Sequence, residues 1–325
     1  MSHALIADLG GTNARFALVP INHYQPQEIS VYSCKEYESF FDAVSAYVDQ
    51  CSVDFDSINA IVLAIAGPVN QEVIRFSNNP WHFTRQQIQE HFGADKKIAL
   101  LNDFDAIGHS LEVVPKEELV QIGEPSAVDP KGAAWVLGAG TGLGVACVVP
   151  QDHGANIVLP GEGGHIDLST CNEQEDYILR FLRERHHRVS AERVLSGMGL
   201  ENIYEALAHR QGVEKRLSAP EIGAAIERGD DPLAQATLEQ FFTFLGRVTG
   251  DLVLNVESRG GVYIAGGIVP RYVEYIKQSS FRDAMQDKGR MRDFVSPIPT
   301  FVVMSEHPGL MGCANYAAYL VNQPN

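Results

Sequence analysis

Asp8, Gly10, Gly11, Thr12 and Asn13 are the first residues in the chain whose types and spacing could do chemistry. An apolar run, Ala4 to Ala7, precedes them, and a second, Phe16 to Val19, follows. That pattern predicts strand, tight turn, strand. The two glycines are expected to supply positive φ and to leave no Cβ in the way, so main-chain N–H groups can approach an anion closely. Asp8 stands at the mouth of the turn, where a carboxylate can hold a hydrated Mg²⁺. An ordinary hairpin is the plainer alternative. A second copy of the pattern runs from Ala133 to Val149. Setting Gly140-Thr141 over Gly11-Thr12 places Ala133 over Ala4 and Ala146 over Ala17. Two such hairpins suggest two related α/β domains, each offering a phosphate loop to one cleft.

Other groups can also do chemistry. Asn102 and Asp103 follow the apolar run Ile98 to Leu101 and precede a helical pattern. They therefore fall at the carboxyl end of a strand, where open α/β sheets bind ligands. Asn and Asp are also preferred helix caps, although a cap needs only one of them. Glu162, His165 and Asp167 stand in a Gly-rich loop, Leu159 to Asp167. Its three glycines make it costly to order unless side chains are presented to something. Glu192 can accept hydrogen bonds from a polyol, or can simply occupy a first helical turn, where the macrodipole favours a carboxylate. Gly266-Gly267 ends another strand and suits a nucleoside lying on bare backbone, with a plain strand-to-helix turn as the alternative.

The elements that must position these residues are also readable. Glu28 to Ser33 predicts a strand, and Phe40, Phe41, Val44, Tyr47 and Val48 recur at helical spacing. Ala60 to Ala66 is continuously apolar, as in a strand buried on both faces, and stops at Gly67-Pro68. Val73 to Phe76 is expected to form a strand, Asn78-Asn79-Pro80-Trp81 to be irregular, and Thr84 to cap a helix through His91. Val114 to Gly132 carries Pro115, Pro125 and Pro130, and the domain boundary is expected near its start. Glu173 to Arg185 is helical, and Ser190 is expected to cap a helix with Glu192 in its first turn. Ser218-Ala-Pro-Glu221 has capping-box spacing. Asp231 to Asn255 predicts a long helix with Phe241, Phe242, Phe244 and Leu245 in the core. Pro270 can open a helix after Gly266-Gly267, and Thr300 to Met304 is a last strand. Pro308 to Leu320 is a small-residue helix able to pack back onto the first domain. The expected organisation is a small α/β domain, residues 1–113 with the returning segment 306–325, and a larger one, residues 114–305.

A net charge of −16 with no long basic run argues against nucleic acid and against a polybasic membrane contact. An anionic substrate would then need a local device, such as loop amides with a metal ion. The five cysteines are scattered without a C-x-x-C pair, which reads as reduced thiols in a cytoplasmic protein. The N-terminus shows no signal-peptide pattern, and no apolar run is long enough to span a bilayer. G-x-x-x-x-G-K-[ST], G-x-S-x-G and H-E-x-x-H are absent. Gly138-Ala-Gly-Thr-Gly-Leu fails G-x-G-x-x-G at its last position and leads into a strand, which argues against a dinucleotide site.

Taken together, six ordered blocks resemble the bacterial glucokinase family of the actin-like sugar kinase superfamily. They are Asp8-Leu-Gly-Gly-Thr-Asn13, Leu101-Asn-Asp-Phe104, Gly138-Ala-Gly-Thr-Gly-Leu-Gly144, Leu159-Pro-Gly-Glu-Gly-Gly-His165, Ser190-Ala-Glu-Arg-Val-Leu-Ser-Gly197 and Ala265-Gly-Gly-Ile-Val-Pro270. The resemblance runs from residue 4 to about residue 320. The related repressor and kinase branch carries a Cys-rich zinc motif after the sugar-binding His, whereas only Cys171 follows His165 closely here.

The resemblance implies an α/β fold of two ribonuclease H-like (actin-like ATPase) domains with an interdomain cleft. It implies ATP-dependent phosphorylation of D-glucose, with Asp103 as general base at the 6-hydroxyl. Asn102, Glu162, His165 and Glu192 would hydrogen-bond the other hydroxyls. Ala7, Asp8, Leu9, Gly10, Gly11, Thr12 and Asn13, with Gly140, Thr141 and Gly142, would hold the ATP phosphates. Asp8 would act through Mg²⁺, Gly266 and Gly267 would lie by the adenosine, and the assembly would be a homodimer. A kinase for another hexose or N-acetylhexosamine, and a non-catalytic sugar-binding regulator, stay open beside this reading.

Overall fold

Ala4, Leu5, Ile6 and Ala7 are fully buried because their strand lies at the middle of a sheet covered on both faces. The computed structural model describes residues 2–323 except positions 52, 54, 77, 78 and 125. The chain divides into two compact units. Unit 1 comprises residues 1–118, 151–160 and 305–325, and unit 2 residues 119–150 and 161–304.

In unit 1, β1 (His3–Leu9), β2 (Asn13–Pro20) and β3 (Gln27–Ser33) form an antiparallel meander, followed by α1 (Phe40–Gln50). Next come β4 (Ile58–Ile65), β5 (Val73–Phe76), β6 (Asn79–Thr84), α2 (Arg85–Phe92), β7 (Lys97–Asn102) and α3 (Asp103–Ser110). The sheet order is β3-β2-β1-β4-β7, with β4 parallel to β1 and β7 parallel to β4. Leu5, Ala7 and Leu9 face a core with Phe16, Phe40 and Tyr47, whereas Ala4 and Ile6 face the opposite core. Alternate residues of one apolar run thus feed two cores. Asn79, Pro80 and Trp81 are not irregular but belong to β6, which pairs with β5. The ladder shifts register between Arg75 and Phe76, and a two-stranded ribbon with an irregularity tolerates Pro80. Asn78 lies outside the described residues. Thr84 caps α2 in a capping box with Gln87, as its spacing predicts.

Unit 2 uses β8 (Leu119–Gln121), β9 (Ala134–Ala139) and β10 (Leu143–Val149). A further strand, β11 (Ile157–Gly161), straddles the division between the units' residue ranges, so Leu159 to Gly161 are extended and not loop. The helices α4 (Glu173–His186), α5 (Gly197–Arg210), α6 (Ala219–Arg228) and α7 (Pro232–Asn255) follow. Then come β12 (Gly261–Ala265), α8 (Val273–Ile276), α9 (Phe281–Gln286), α10 (Arg292–Val295) and β13 (Thr300–Val303). β9 pairs antiparallel with β10 and parallel with β12, which is parallel to β13. That repeats the β2-β1-β4-β7 pattern of unit 1. β8, inside the Pro-containing stretch at whose start the domain boundary is expected, pairs with β13 and is too short for periodicity to reveal. Phe241, Phe242, Phe244 and Leu245 of α7 are buried in the core of unit 2.

The chain ends in α11 (Pro308–Asn322), within unit 1. Leu310, Cys313, Ala314 and Ala317 complete the core that holds Ala4 and Ile6. Gly312 crosses α3 so closely that a Cβ would lie 1.6 Å from the carbonyl oxygen of Ala106. Small residues are needed here because main chain meets main chain. Gly312→Ala is therefore expected to destabilise unit 1 by at least ~1–3 kcal/mol, the range for overpacking, measured by denaturant unfolding. An unchanged midpoint would refute this packing.

Candidate active site

Three parallel strands end together in unit 1. Leu9 is in register with Ile65, and Ile65 with Asn102. With strands ~4.8 Å apart, Leu9 and Asn102 lie about 10 Å apart along the sheet edge. Asp8 and the Asn102-Asp103 pair thus share one carboxyl edge, where such sheets bind ligands.

Asn102 is the N-cap of α3, its Oδ1 accepting from the Phe104 N–H at 3.0 Å. Its Nδ2 donates to the Gly67 carbonyl at 3.4 Å. The Phe104 N–H also reaches Oδ1 of Asp103 at 3.0 Å, but the cap is already made by Asn102. Burial pushes the Asp103 carboxyl up to about 6; the Phe104 N–H pulls it down, and the charges of Asp8 and Asp105 push it further up. A carboxylate that titrates near neutrality can accept a proton during a reaction. Burial also raises Asp8, against the pull of Arg15 and His307.

Arg15, Asp105 and His307 are the residues of this edge that sequence reasoning passed over. Arg15 was findable: a turn over residues 10–13 makes it the cross-strand partner of Asp8, and Nη1 donates to Oδ2 at 3.3 Å. Asp105, raised by burial to about 6, sits in the first turn of α3. His307 comes from the far end of the chain and has no local signal.

The turn glycines differ from expectation. Neither Gly10 nor Gly11 adopts positive φ, and neither do Gly140 and Gly142. The two turns also differ by one residue: Leu9 pairs with Ala14, whereas Ala139 pairs with Leu143. In unit 2, Gly138 and Gly266 answer to internal packing. A Cβ on Gly138 would lie 2.8 Å from the Ala265 carbonyl carbon; Gly266 has φ +86° and would bring its Cβ 2.6 Å from the Ala139 oxygen. Gly140 and Gly267 have no such reason, because a Cβ on either meets no protein atom within 4 Å. The backbone is open at both positions.

Leu143 meets both Glu192 and the Gly-rich loop. Its N–H donates to Glu192 Oε2 at 3.0 Å, and a Cβ on Gly164 would lie 2.1 Å from its carbonyl oxygen. The Gly-rich loop therefore lies against β10 through bare backbone. It presents Glu162 and His165 with 86% and 56% of their side chains exposed, Nε2 and Oε2 3.9 Å apart. Arg188 holds that loop by donating to the His165 carbonyl at 2.6 Å and pairing with Asp167 at 2.7 Å. Glu192 is not in the first turn of an α-helix. It lies in a 3₁₀ turn, Ala191–Arg193, Ser190 makes no side-chain cap bond, and the helix begins at Gly197 with Ser196 as cap. Asn102 and Asp103 belong to unit 1; Glu162, His165 and Glu192 belong to unit 2.

Among the described residues no three His, Cys, Asp or Glu side chains gather into a metal cage. Asp8 offers one carboxylate with 31% of its side chain exposed. That donor set fits Mg²⁺, which keeps waters and phosphates and takes one or two carboxylates.

The family profile for glucokinase matches residues 5–320. The chain belongs to the glucokinase family. It is 40% identical over 309 residues to the glucokinase of Chromohalobacter salexigens, covering 95% of each chain. The crystal structure of a glucokinase from an Antarctic psychrotroph superimposes with a TM-score of 0.86 at 30% identity, covering 98% of this chain and 99% of that one. A glucokinase from Streptomyces griseus of the repressor and kinase branch, in complex with glucose and AMPPNP, shares the fold alone, with a TM-score of 0.57 at 17% identity over 97% and 99% of the chains. The fold class is α/β, built of ribonuclease H-like domains of the actin-like ATPase type. Among the described residues no helix is long and apolar enough to cross a membrane.

Proposed function

We propose that this chain transfers the γ-phosphoryl group of ATP to the 6-hydroxyl of D-glucose, giving glucose 6-phosphate and ADP. The observation that carries this reading is Asp103: a half-buried carboxyl raised to about 6, at the carboxyl edge of the unit 1 sheet, in a chain of the glucokinase family. Asp103 accepts the 6-hydroxyl proton as the new O–P bond forms and the bond to ADP breaks. Phosphoryl transfer is otherwise positioning and charge stabilisation. Asn102, Glu162, His165 and Glu192 hold the remaining hydroxyls, each of which needs a partner once desolvated. A sugar with one hydroxyl misplaced leaves such a group unpaired, which gives strong discrimination.

Residues 7–13 and the turn Gly140 to Gly142 bind the phosphates, and Gly266-Gly267 lies by the adenosine. Asp8 would hold Mg²⁺ through water, and the ion, when bound, neutralises phosphate charge. The two compact units serve as the two domains, and the C-terminal helix α11 returns to the N-terminal one. The protein acts in the cytoplasm as a homodimer at the entry of glucose into glycolysis, and sedimentation tests the dimer.

ADP release with Mg-ATP tests the function, using D-glucose, mannose, fructose, N-acetylglucosamine and a no-sugar blank. Release with glucose alone is the expected result. Strong release with another sugar moves the substrate, and none from folded protein favours a sugar-binding regulator. The open glycines add a second test. Gly140→Ala and Gly267→Ala meet no steric conflict, so stability should hold or rise by ~0.4–1 kcal/mol. KM for ATP should rise severalfold while KM for glucose changes less. An unchanged KM for ATP in both variants would remove these glycines from the nucleotide site.

A further inference from the structure

One segment grips the second phosphate turn at both ends. At its entry, Gly197 N–H donates to the Gly140 carbonyl at 2.8 Å. At its exit, Leu143 N–H donates to Glu192 Oε2 at 3.0 Å. Between them, the Glu192 carboxylate lies so close to Gly142 that a Cβ there would sit 2.5 Å from Oε2. Gly142 lacks positive φ, so this approach is the reason for glycine at the position. The grip is itself braced. Ser196 Oγ donates to the Glu192 carbonyl at 2.8 Å while accepting from the Gly199 N–H at 3.1 Å at the start of α5. Val194 and Leu195 both donate to the Ala191 carbonyl, at 3.1 and 2.9 Å.

We infer that Glu192 couples the two substrates: the carboxylate that takes the sugar also fixes the turn that takes the phosphates. This rests on the proposed roles of Glu192 and of residues 140–142. An ionised carboxylate offers two oxygens with about four acceptor sites, and one of those sites is occupied by Leu143. A charge-assisted bond to a main-chain N–H is among the stronger hydrogen bonds, so Glu192 and the turn move together. Without sugar, the partly exposed Glu192 side chain is held, among the described residues, at Oε2 by the Leu143 N–H. A sugar hydroxyl bound at the carboxylate adds a second anchor before the nucleotide arrives. The nucleotide then orders less of the turn and binds more tightly, and reciprocity requires the same factor for sugar after nucleotide. The arrangement favours ATP binding when a phosphoryl acceptor is already present.

The test is calorimetric titration of the full chain, with Mg²⁺ present throughout. Glucose is titrated with and without saturating AMPPNP, and AMPPNP with and without saturating glucose. The parent is expected to show at least about 5-fold tightening, equal in both directions. Glu192→Gln keeps an acceptor for Leu143 but loses the charge, and coupling should fall below about 2-fold. Gly142→Ala drives the carboxylate away from Leu143, so glucose should bind at least about 5-fold more weakly even without nucleotide. A residue that served phosphates alone would not move that number. Parent coupling within 2-fold, or undiminished coupling in Glu192→Gln, overturns the inference. So does unaltered glucose binding in folded Gly142→Ala; if that variant does not fold, Glu192→Gln decides. Failure of the parent to bind glucose at all is a different result, and sinks the glucose kinase reading itself.

Discussion

Asp103→Asn is expected to lower glucose-dependent ADP release by about 10²–10⁴-fold, the usual contribution of a positioned proton acceptor. Asparagine keeps the size of the side chain and an oxygen facing the Phe104 N–H, which Asp103 Oδ1 now accepts at 3.0 Å. The cap of α3 belongs to Asn102 and survives, so the start of the helix should not move. The pH profile carries the same assignment. Asp103 is pushed up to about 6, so kcat/KM of the parent should fall about tenfold per pH unit below that value. Asp105→Asn removes a neighbouring like charge and should shift the midpoint downward. Residual activity of Asp103→Asn should lack the limb. Turnover within about tenfold of the parent at pH 8 would refute the base assignment.

Stability should move the other way. The folded carboxyl is raised above its ordinary value of 3.8, so the unfolded chain releases its proton first as pH rises. The stabilisation from this group is therefore complete below pH 3.8 and is lost as pH rises through about 6. Asparagine is neutral at every pH and keeps that stabilisation. At pH 8 the variant should melt above the parent, and the gap should close toward pH 4. A variant that is less active yet more stable is the signature of a buried charge kept for chemistry.

The legible parts of the molecule were those whose signals are local. Ala4 to Ala7 and Ala60 to Ala66 are uninterrupted apolar runs because neighbours cover both faces, and both form central strands. Asn102-Asp103 fell at a strand end for the same reason. Misreadings arose where a local pattern competed with a distant contact. Ser190-Ala-Glu-Arg has the look of a helix start, but Glu192 bonds the N–H of Leu143, 49 residues away, and the helix waits for Ser196. Gly10 and Gly11 are expected to supply positive φ and do not, and at Gly142 the glycine leaves room for that carboxylate. His307 beside Asp8 depends on the return of α11, which no pattern near residue 307 encodes.

The same limit hides the ion pair with the largest expected effect on stability. Arg247 Nε donates to both carboxylate oxygens of Glu175, at 3.0 and 2.9 Å, across 72 residues of sequence. Glu175 is fully buried and Arg247 is 7% exposed. Glu175 also accepts from the Cys171 N–H at 2.7 Å and from Asn172 Nδ2 at 2.6 Å, while Arg247 reaches Asp287 at 3.1 Å. Removing one partner leaves an uncompensated charge in the interior of unit 2. Arg247→Met is therefore expected to cost about 3–5 kcal/mol, read as a lowered denaturant midpoint of the unit 2 transition. Adding Glu175→Gln removes the stranded charge, so the double variant should lose less than the sum of the singles. This pair joins α4 to α7, and the Gly-rich loop enters α4 through Leu168 and Cys171. Loosening it should shorten the half-life of activity on warming while leaving kcat at 25 °C within a few-fold of the parent. Asp103→Asn should do the reverse. A loss below about 1 kcal/mol in Arg247→Met would mean that the pair is replaceable packing and that unit 2 is held by its apolar core alone.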